Sequence, residues 1–187
     1  MFRQWSLSEL QEPLAADLLG ADVQIQRVHT DTRTLQAGDL FVALHGENFD
    51  GHQYLDDAEQ AGAVAAIVDT WQENSDLPQL IVADTRLALG QLGAFNRQQF
   101  SGQLVALTGS SGKTTVKEML ASIGRVVVGE QAVFATQGNL NNDLGVPMTL
   151  LRLAPAHQWA VVELGASRVG EIAYTRKLAQ PQIVLIN

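Results

Sequence analysis

The sequence predicts an α/β fold built on buried, mostly parallel strands. Short apolar runs rich in Val, Ile, Leu and Ala recur along the chain, and segments with helical apolar spacing separate them. This alternation is typical of parallel strands that are connected by helices. With 187 residues, of which 46% are apolar and 17% charged, the chain has enough apolar surface to form a core and is too apolar for a disordered segment.

The first part of the chain predicts one small α/β unit followed by a longer helix. Asp84 or Thr85 can cap that helix at its start, and Ser101-Gly102 ends it. Its apolar residues recur at three-residue spacing, which places them on one face. The predicted elements of this part are the strands Leu40–Leu44, Val64–Val68 and Leu80–Ala83 and the helices Gln53–Ala61 and Leu87–Phe100.

The second part predicts a longer α/β series. Its last strand runs directly into Asn187, the final residue. Because ligands of open α/β sheets bind beyond the carboxyl ends of the strands, we expect this chain to be a truncated part of a longer protein. The predicted strands are Leu104–Leu107, Val133–Ala135, Trp159–Leu164 and Ile183–Ile186, and the predicted helices are Lys113–Ile123, Pro147–Leu153 and Arg168–Leu178.

Charge and cysteine content exclude several classes of protein. The net charge of −8 disfavours broad electrostatic binding of nucleic acid or of an anionic membrane, so an anionic ligand must be held locally. Residues 1–100 carry 15 acidic and 5 basic side chains, against 5 and 7 in residues 101–187. This asymmetry fits either two domains with different ligands or one acidic, solvated surface.

The absence of cysteine excludes disulfides, thiolate metal sites and a cysteine nucleophile, and it fits a cytoplasmic protein. The N-terminus lacks the pattern of a signal peptide, and the longest apolar run, near Ala61–Val68, is too short to span a bilayer. We therefore expect a soluble cytoplasmic protein with no membrane span.

The segment Thr108–Thr115, of sequence TGSSGKTT, lies between an apolar strand and a helix, which is the context that a phosphate-binding loop requires. Its glycines let the backbone approach phosphates, and the amides at the helix start offer unpaired donors. Lys113 can neutralise phosphate charge, and the Thr114 hydroxyl can bind Mg²⁺. Leu107 stands where the longer loop pattern has glycine, so the match is to the shorter G-x-x-G-K-[ST]. A structural turn is the alternative interpretation.

Two more polar features follow the loop. The segment Gly138–Pro147 carries three asparagines and an aspartate between glycines; helix capping explains part of this, and ligand contact is the other interpretation. Glu163 ends an apolar strand, where a carboxylate points toward the ligand edge of the sheet and needs a partner. A metal ion is the natural partner, and an exposed acid is the alternative.

Together these motifs resemble the Mur ligase family, and the resemblance covers essentially the whole chain. In the second part it rests on Thr108–Thr115, Gly138–Leu150, and Glu163–Ser167 followed by Gly170-Glu171-Ile172. In the first part the segments similar to the UDP-substrate domain of the family are Asp31–Arg33, Gly38–Leu44 and Gly46–His52.

The resemblance implies three regions: an N-terminal UDP-substrate-binding domain at 1–83, a linking helix at 84–102, and the truncated N-terminal part of a P-loop-type central ATP-binding domain at 103–187. It implies an ATP-dependent amide ligation in peptidoglycan precursor synthesis, with ATP and Mg²⁺ as cofactors and UDP-MurNAc-tripeptide and D-Ala-D-Ala as substrates. The substrate carboxylate would attack the γ-phosphate of ATP to give an acyl phosphate. The amine of D-Ala-D-Ala would then displace phosphate. No obligate protein partner is implied, and the isolated 187-residue chain is expected to be inactive.

The resemblance also assigns roles to single residues. Lys113 and Glu163 are the catalytic candidates, with Lys113 on the β- and γ-phosphates. Thr114 would hold one Mg²⁺ and Glu163 a second. The remaining candidates for ATP binding are Gly109, Ser110, Ser111, Gly112, Thr115, Asn139 and Asn142, and those for binding the UDP part are Thr32, Arg33, Gly46 and Asn48.

Two alternatives stay open at this point. One is another Mur-type amide ligase, of the folylpolyglutamate or cyanophycin type, which has the short phosphate loop without the UDP domain. The other is a non-catalytic nucleotide-binding regulatory module. Detecting UDP-sugar binding separates the first from the main interpretation, and acyl-phosphate formation separates the second. No metal site is predicted from the histidines, because no two of them have metal-ligand spacing: His29, His45, His52 and His157.

Overall fold

The computed structural model describes residues 4–46 and 49–187. The chain divides into two compact units, residues 4–89 and residues 90–187, and the division falls inside one helix. Among the described residues, no helix is both long enough and apolar enough to cross a membrane.

The first unit is organised around a five-stranded sheet. Its elements are β1 (Trp5–Ser6), α1 (Leu7–Leu14), β2 (Asp17–Leu19), β3 (Gln24–Ile25), β4 (Arg27–His29), β5 (Asp39–Val42), α2 (Leu55–Gln60), β6 (Ala63–Val68) and β7 (Gln79–Ile81), with 3₁₀ turns at Thr32–Thr34 and Gly51–Tyr54. The sheet order is β2-β7-β6-β5-β4. The neighbours from β4 to β7 are parallel, and β2 pairs antiparallel at the edge.

Burial of apolar side chains explains why these elements form. The four residues of β5 are all buried, as expected for a strand covered on both faces. On one face, Phe41 and Ala66 pack in the same core cluster as Leu55 and Ala58 of α2. Helix α1 begins with a capping box, in which the Ser6 hydroxyl accepts from an amide and the Ser6 amide donates to a glutamate carboxylate.

The second unit is a parallel sheet with helices on it. Its elements are α3 (Thr85–Gln98, which spans the division), β8 (Gln103–Thr108), α4 (Lys113–Val128), β9 (Val133–Ala135), α5 (Gly145–Leu150), β10 (Trp159–Glu163), α6 (Glu171–Ala179) and β11 (Ile183–Ile186). The order is β11-β8-β10-β9, and every pair is parallel. The predicted α/β fold with mostly parallel strands is confirmed. In the register, Glu163 pairs with Leu107, so β8 and β10 end at the same edge.

A buried arginine joins α3 to α6 within the second unit. The Arg97 side chain is buried, and its guanidinium donates to the backbone carbonyls of Ala179, Phe100 and Gln180 at 2.8, 3.0 and 3.0 Å. Ala179 and Gln180 are the last residue and the C-cap of α6. Arg97 therefore satisfies carbonyls that a helix end leaves without intrahelical partners.

Several element boundaries differ from the sequence predictions. Helix α4 was expected to end at Ile123, before Gly124, but it continues to Val128. Gly124 is buried, and a Cβ there would meet the Trp159 ring at 2.8 Å, so this glycine serves helix packing rather than helix termination. Helix α3 starts at Thr85, and Asp84 accepts the Leu87 amide at 2.9 Å, as the predicted cap requires.

Candidate functional site

The phosphate loop connects β8 to α4 and is closed on one side by β11. Gly112 is the N-cap of α4 in the left-handed region, at φ 75°, and it makes no side-chain cap bond. The first-turn amides of α4 are therefore not used by a side-chain cap, which suits binding of an anion. Asn187 donates its backbone amide to Thr108 at 3.0 Å and its side-chain amide to the Ser111 carbonyl at 2.7 Å. A Cβ at Gly109 would overlap the Asn187 carbonyl, so glycine is required there.

Lys113, the first residue of α4, bends back over the loop. Its ammonium donates to the Gly109 carbonyl at 2.8 Å. This contact holds a positive charge next to the loop amides, where a terminal phosphate would be neutralised. The predicted position of Lys113 at a strand-to-helix junction is confirmed by the structure, whereas its role stays a prediction.

Glu163 brings three elements together at the end of β10. The residue is 3% exposed. One carboxylate oxygen accepts from the Thr114 hydroxyl of α4 at 3.1 Å, and the other accepts from the Asn141 side-chain amide at 2.8 Å. The Glu163 backbone amide donates to the Thr136 hydroxyl at 2.9 Å. These bonds compensate the burial of the carboxylate and fix its orientation beside the phosphate loop.

The segment Gly138–Pro147, called the asparagine loop below, contributes through Asn141. The sequence analysis did not select this residue. The Asn141 carbonyl accepts the Gly165 amide at 2.7 Å, which ties the loop to the segment after β10. Asn142, by contrast, uses its side-chain oxygen to accept the Gly145 amide at 2.7 Å, which is a turn-capping bond. The Asn139 side chain is exposed. The ATP-binding roles of Asn139 and Asn142 stay predictions.

Lys117 is a second residue that the sequence reasoning missed. It lies one turn after Lys113 on α4 and is 3% exposed, and its ammonium donates to the Thr136 carbonyl at 2.7 Å and contacts the Glu118 carboxylate at 3.0 Å. Through Thr136, Lys117 supports the backbone that carries Glu163. The signal available in the sequence was the four-residue spacing, which places both lysines on one helix face.

The residues beside the loop fit a magnesium ion. Mg²⁺ prefers hard oxygen ligands in octahedral geometry at about 2.0–2.1 Å, so adjacent ligand atoms are about 2.9 Å apart. The Thr114 hydroxyl and a Glu163 carboxylate oxygen lie 3.1 Å apart. Both oxygens can therefore reach the same ion after a small movement.

In the first unit, the three candidate UDP residues that the structure describes lie in segments that follow strands. Thr32 and Arg33 belong to the 3₁₀ turn after β4. Arg33 forms a two-bond ion pair with Asp31, at 2.9 and 2.6 Å, and this hydrogen bonding lowers the pKa of Asp31 to about 2. The Gly46 amide donates to the Phe49 carbonyl at 2.9 Å. Asn48, the fourth candidate, lies outside the described residues.

Two of the histidines lie next to each other in the first unit, although their spacing in the sequence predicts no shared site. His45 and His52 stack with ring centroids 4.7 Å apart, and Asp69 completes a group whose ligand atoms all lie within 4.8 Å of one another. Spacing in the sequence does not indicate this proximity, because it depends on the loop after β5, where His45 and Asp50 form an antiparallel bridge. The prediction that the histidines form no metal site stays untested.

Comparison with known proteins identifies the family of both units. The family described as the Mur ligase family, catalytic domain, matches residues 24–97, and the Mur ligase middle domain matches residues 107–187. Proteins named UDP-N-acetylmuramoyl-tripeptide--D-alanyl-D-alanine ligase from Haemophilus influenzae and Escherichia coli are 52% and 53% identical to this chain over 186 residues. These alignments cover 97% of this chain and 40% and 39% of those proteins.

Solved structures agree with this result. A crystal structure of MurF from Acinetobacter baumannii superposes with a TM-score of 0.92 at 46% identity, covering 99% of this chain and 41% of that chain. The MurF ligase of Thermotoga maritima, solved in complex with ADP, gives a TM-score of 0.74 at 36% identity, covering 86% of this chain and 37% of that chain. This chain therefore spans about two fifths of the length of the curated relatives that it matches. Two successive Mur ligase domains, with a phosphate loop whose threonine contacts a strand-end glutamate, show that the chain belongs to the Mur ligase family and corresponds to part of its MurF-type members.

Proposed function

We propose that the chain supplies the UDP-substrate and ATP-binding regions of an ATP-dependent amide ligase of peptidoglycan precursor synthesis, which joins D-Ala-D-Ala to UDP-MurNAc-tripeptide. The observation that carries the proposal is the contact of Thr114 with Glu163 beside the phosphate loop. The names of the similar ligases and the ADP complex of the Thermotoga maritima relative support the same activity and nucleotide class.

Nucleotide binding would use the loop amides and Lys113. The free amides at the start of α4 would donate to phosphate oxygens, and the Lys113 ammonium would exchange its bond to the Gly109 carbonyl for the β- and γ-phosphates. Other contacts to ATP would come from the loop residues Ser110, Ser111 and Thr115. Because a charged donor on a charged acceptor forms a stronger hydrogen bond than one on a carbonyl, this exchange favours the bound state.

One Mg²⁺ would be held by Thr114 and Glu163 together, in place of the two separate ions that the family resemblance implies, because their oxygens lie only 3.1 Å apart. When bound, it neutralises charge on the phosphate oxygens. Asn141 would keep the Glu163 carboxylate oriented through its bond to one oxygen. Lys117 and Thr136 would maintain the backbone position of Glu163. The charge and geometry of the phosphates would thus be controlled by four elements: the loop, α4, the asparagine loop and β10.

The proposed reaction has two steps. The carboxylate of the UDP-MurNAc-tripeptide attacks the γ-phosphorus of ATP, which forms an acyl phosphate and breaks the bond to ADP. The amine of D-Ala-D-Ala then attacks the acyl carbon, and inorganic phosphate leaves. In the first step, Lys113 and the loop amides contribute by positioning and by charge neutralisation, which carry most of the catalysis in phosphoryl transfer.

Residues 1–83 would bind the UDP part of the substrate through Thr32, Arg33, Gly46 and Asn48. Arg33 is 85% exposed in its side chain and is paired with Asp31. To bind a diphosphate it would leave this pair, which is inexpensive because ion pairs between exposed side chains contribute little to stability.

Calorimetric titration of the 187-residue chain with MgADP tests the nucleotide site. Lys113→Met should weaken binding by about ten- to a hundredfold, the loss of a charged hydrogen bond worth roughly 1.5–3 kcal/mol. Lys177→Met is the matched control, because Lys177 is an exposed lysine of α6. Equal affinities of the two variants would contradict the assignment of Lys113.

The substrate domain is tested separately with UDP-MurNAc-tripeptide. Arg33→Ala should weaken binding of this ligand and leave MgADP affinity unchanged, so the same variant carries its own control. The ligase activity itself requires the longer parent protein, in which phosphate release should depend on both substrates. Unchanged affinity of Arg33→Ala for the UDP ligand would contradict the proposed substrate contact.

A further inference from the structure

Two histidines and two aspartates meet at the carboxyl edge of the first sheet. His45 follows β5, Asp69 follows β6 directly, and Asp50 and His52 come from the loop and turn between these strands. We call these four residues the histidine cluster. They line a cavity of about 330 Å³, together with Gln53, Thr70 and Gln72. None of them belongs to the phosphate-loop site.

Both imidazoles direct the same nitrogen at one carboxylate. His45 Nε2 lies 2.8 Å from Asp69 Oδ2, and His52 Nε2 lies 3.2 Å from Asp69 Oδ1. The rings are nearly parallel, at an interplanar angle of 26°. One ring nitrogen of each histidine and one Asp69 oxygen lie within 4.8 Å of one another, which makes a compact set of potential metal ligands.

The opposite nitrogen of each ring faces the other carboxylate. Asp50 Oδ1 lies 2.7 Å from His52 Nδ1 and 3.3 Å from His45 Nδ1. The Asp69 backbone amide donates to His52 Nε2 at 3.2 Å, which places the His52 proton on Nδ1, toward Asp50. A histidine whose Nδ1–H donates to a carboxylate while Nε2 keeps its lone pair is the usual arrangement in metal sites.

We propose that His45, His52 and Asp69 bind a divalent transition-metal ion such as Zn²⁺, and that Asp50 orients both imidazoles. A tetrahedral site with ligand distances of about 2.0–2.1 Å needs donor atoms about 3.3 Å apart. The observed contacts of 2.8 and 3.2 Å are slightly shorter, so a small outward movement of the side chains would give this spacing. On binding, the metal would replace the Asp69 backbone amide as the partner of the His52 Nε2 lone pair. Imidazole nitrogens favour Zn²⁺, Co²⁺ or Ni²⁺ over Mg²⁺, so this site differs in ion type from the oxygen pair of Thr114 and Glu163.

Burial and charge support a cation here. The His52 side chain is 6% exposed and Asp69 is 24% exposed, so two of the three ligands are held in place before any ion binds. Two carboxylates in the cluster supply the negative charge that compensates a divalent ion. Three protein ligands leave a fourth coordination position, and the cavity beside His45 provides space for it.

The test is calorimetric titration of metal-free 187-residue chain with ZnCl₂ in the presence of excess Mg²⁺, which occupies oxygen sites. We expect one Zn²⁺ per chain. His45→Ala and Asp69→Asn each remove a ligand and should weaken binding by at least about a hundredfold, and Asp50→Asn by about ten- to a hundredfold. His29→Ala, in the same unit, is the matched control and should bind like the parent chain.

Cobalt spectroscopy gives an independent readout. Since the chain contains no cysteine, a Co²⁺ absorption band of tetrahedral type must come from nitrogen and oxygen ligands, and it should disappear in His45→Ala. No His52 variant is used, because replacing this buried side chain could unfold the first unit. Circular dichroism checks the folding of every variant. If the parent chain binds Zn²⁺ no more tightly than His45→Ala does, the proposal is wrong. The cluster is then a hydrogen-bonded group of two imidazoles and two carboxylates that stabilises the loop after β5 without a metal.

Discussion

Replacing Arg97 with methionine should destabilise the second unit strongly. Methionine keeps most of the apolar volume of the side chain but removes its hydrogen-bond donors. The carbonyls of Ala179, Gln180 and Phe100 would then lose the donors that lie 2.8–3.0 Å away. Arg97 is 6% exposed, so water cannot simply replace the guanidinium without opening the packing.

The size of the effect follows from the number of bonds lost. An unsatisfied buried acceptor costs about 1–3 kcal/mol. This cost applies to the buried bonds to Ala179 and Phe100, whereas the partly buried bond to Gln180 contributes less. The replacement also removes a buried charge, whose desolvation already lowers the pKa of Arg97, and this relief offsets part of the loss. We expect the free energy of unfolding to fall by about 3–5 kcal/mol, a large share of the 5–15 kcal/mol that is usual for a domain.

Hydrogen exchange measured by mass spectrometry suits a chain with two units, because it reports each segment separately. In Arg97→Met, protection should fall in peptides from β8 and β11, where Gln182 accepts both from Arg97 and from the Leu104 amide. Peptides from β5 and β6 in the first unit are the internal control and should keep their protection.

Arg125→Met is the matched substitution. Arg125 pairs with Glu130 at 3.1 Å, and the Glu130 side chain is 77% exposed, so this pair should contribute only about 0–1 kcal/mol. If Arg97→Met loses less than about 1 kcal/mol, or loses no more than Arg125→Met, then the guanidinium bonds do not stabilise the end of α6 as argued.

Three further predictions concern separate sites. Arg33→Gln should raise the pKa of Asp31 from about 2 toward 3.8. Because the pKa of Asp31 is lower in the folded state than in the unfolded state, its ionised carboxylate stabilises the fold above about pH 4, and this stabilisation is lost as the pH falls toward 2. An NMR titration of the variant that shows an unchanged pKa of Asp31 would contradict this. Ala15→Gly should raise the free energy of unfolding by up to about 1 kcal/mol, and with it the urea midpoint, because Ala15 has φ 49° in the left-handed region; a lower midpoint would refute it. Asn141→Ala should weaken MgADP binding about tenfold, because it removes the bond that orients the Glu163 carboxylate, whereas the Lys177→Met control should not; calorimetry that gives equal losses would contradict the positioning role of Asn141.

Local patterns were sufficient to predict the sheet of the second unit. The strands Val133–Ala135 and Ile183–Ile186 have the predicted bounds, and α4 begins at Lys113 as expected, because a continuous apolar run, a glycine turn and a helix start are all encoded within a few residues. The short strands β1 to β4 were missed. They have two or three residues each, too few for a periodic pattern, and pairing with distant partners holds them in place: β2, for example, pairs with β7.

The candidate site was predicted only in part. The position of Glu163 at a strand end and its need for a partner could be read from the sequence, but the choice among Asn139, Asn141 and Asn142 could not. All three carry the same side chain, and only the path of the loop decides that Asn141 contacts the carboxylate. Likewise, Lys117 supports the site through its hydrogen bond to the Thr136 carbonyl, and the sequence does not indicate that these two residues are in contact.

The strand order of the second unit also sets the time at which the site forms during protein synthesis. The phosphate loop is synthesised before the residues that contact it. Glu163 follows Thr114 by 49 residues, and Asn187 follows Ser111 by 76 residues, so these two contacts form only after that much more of the chain has been made. A nascent chain therefore carries the loop for some time before it has the surrounding groups. A ligand that binds only the folded state stabilises it by about 2.7 kcal/mol at a hundred times its Kd. If the site binds nucleotide as proposed, nucleotide would therefore favour the chain in which Glu163 and Asn187 have joined the loop over the chain that still lacks them.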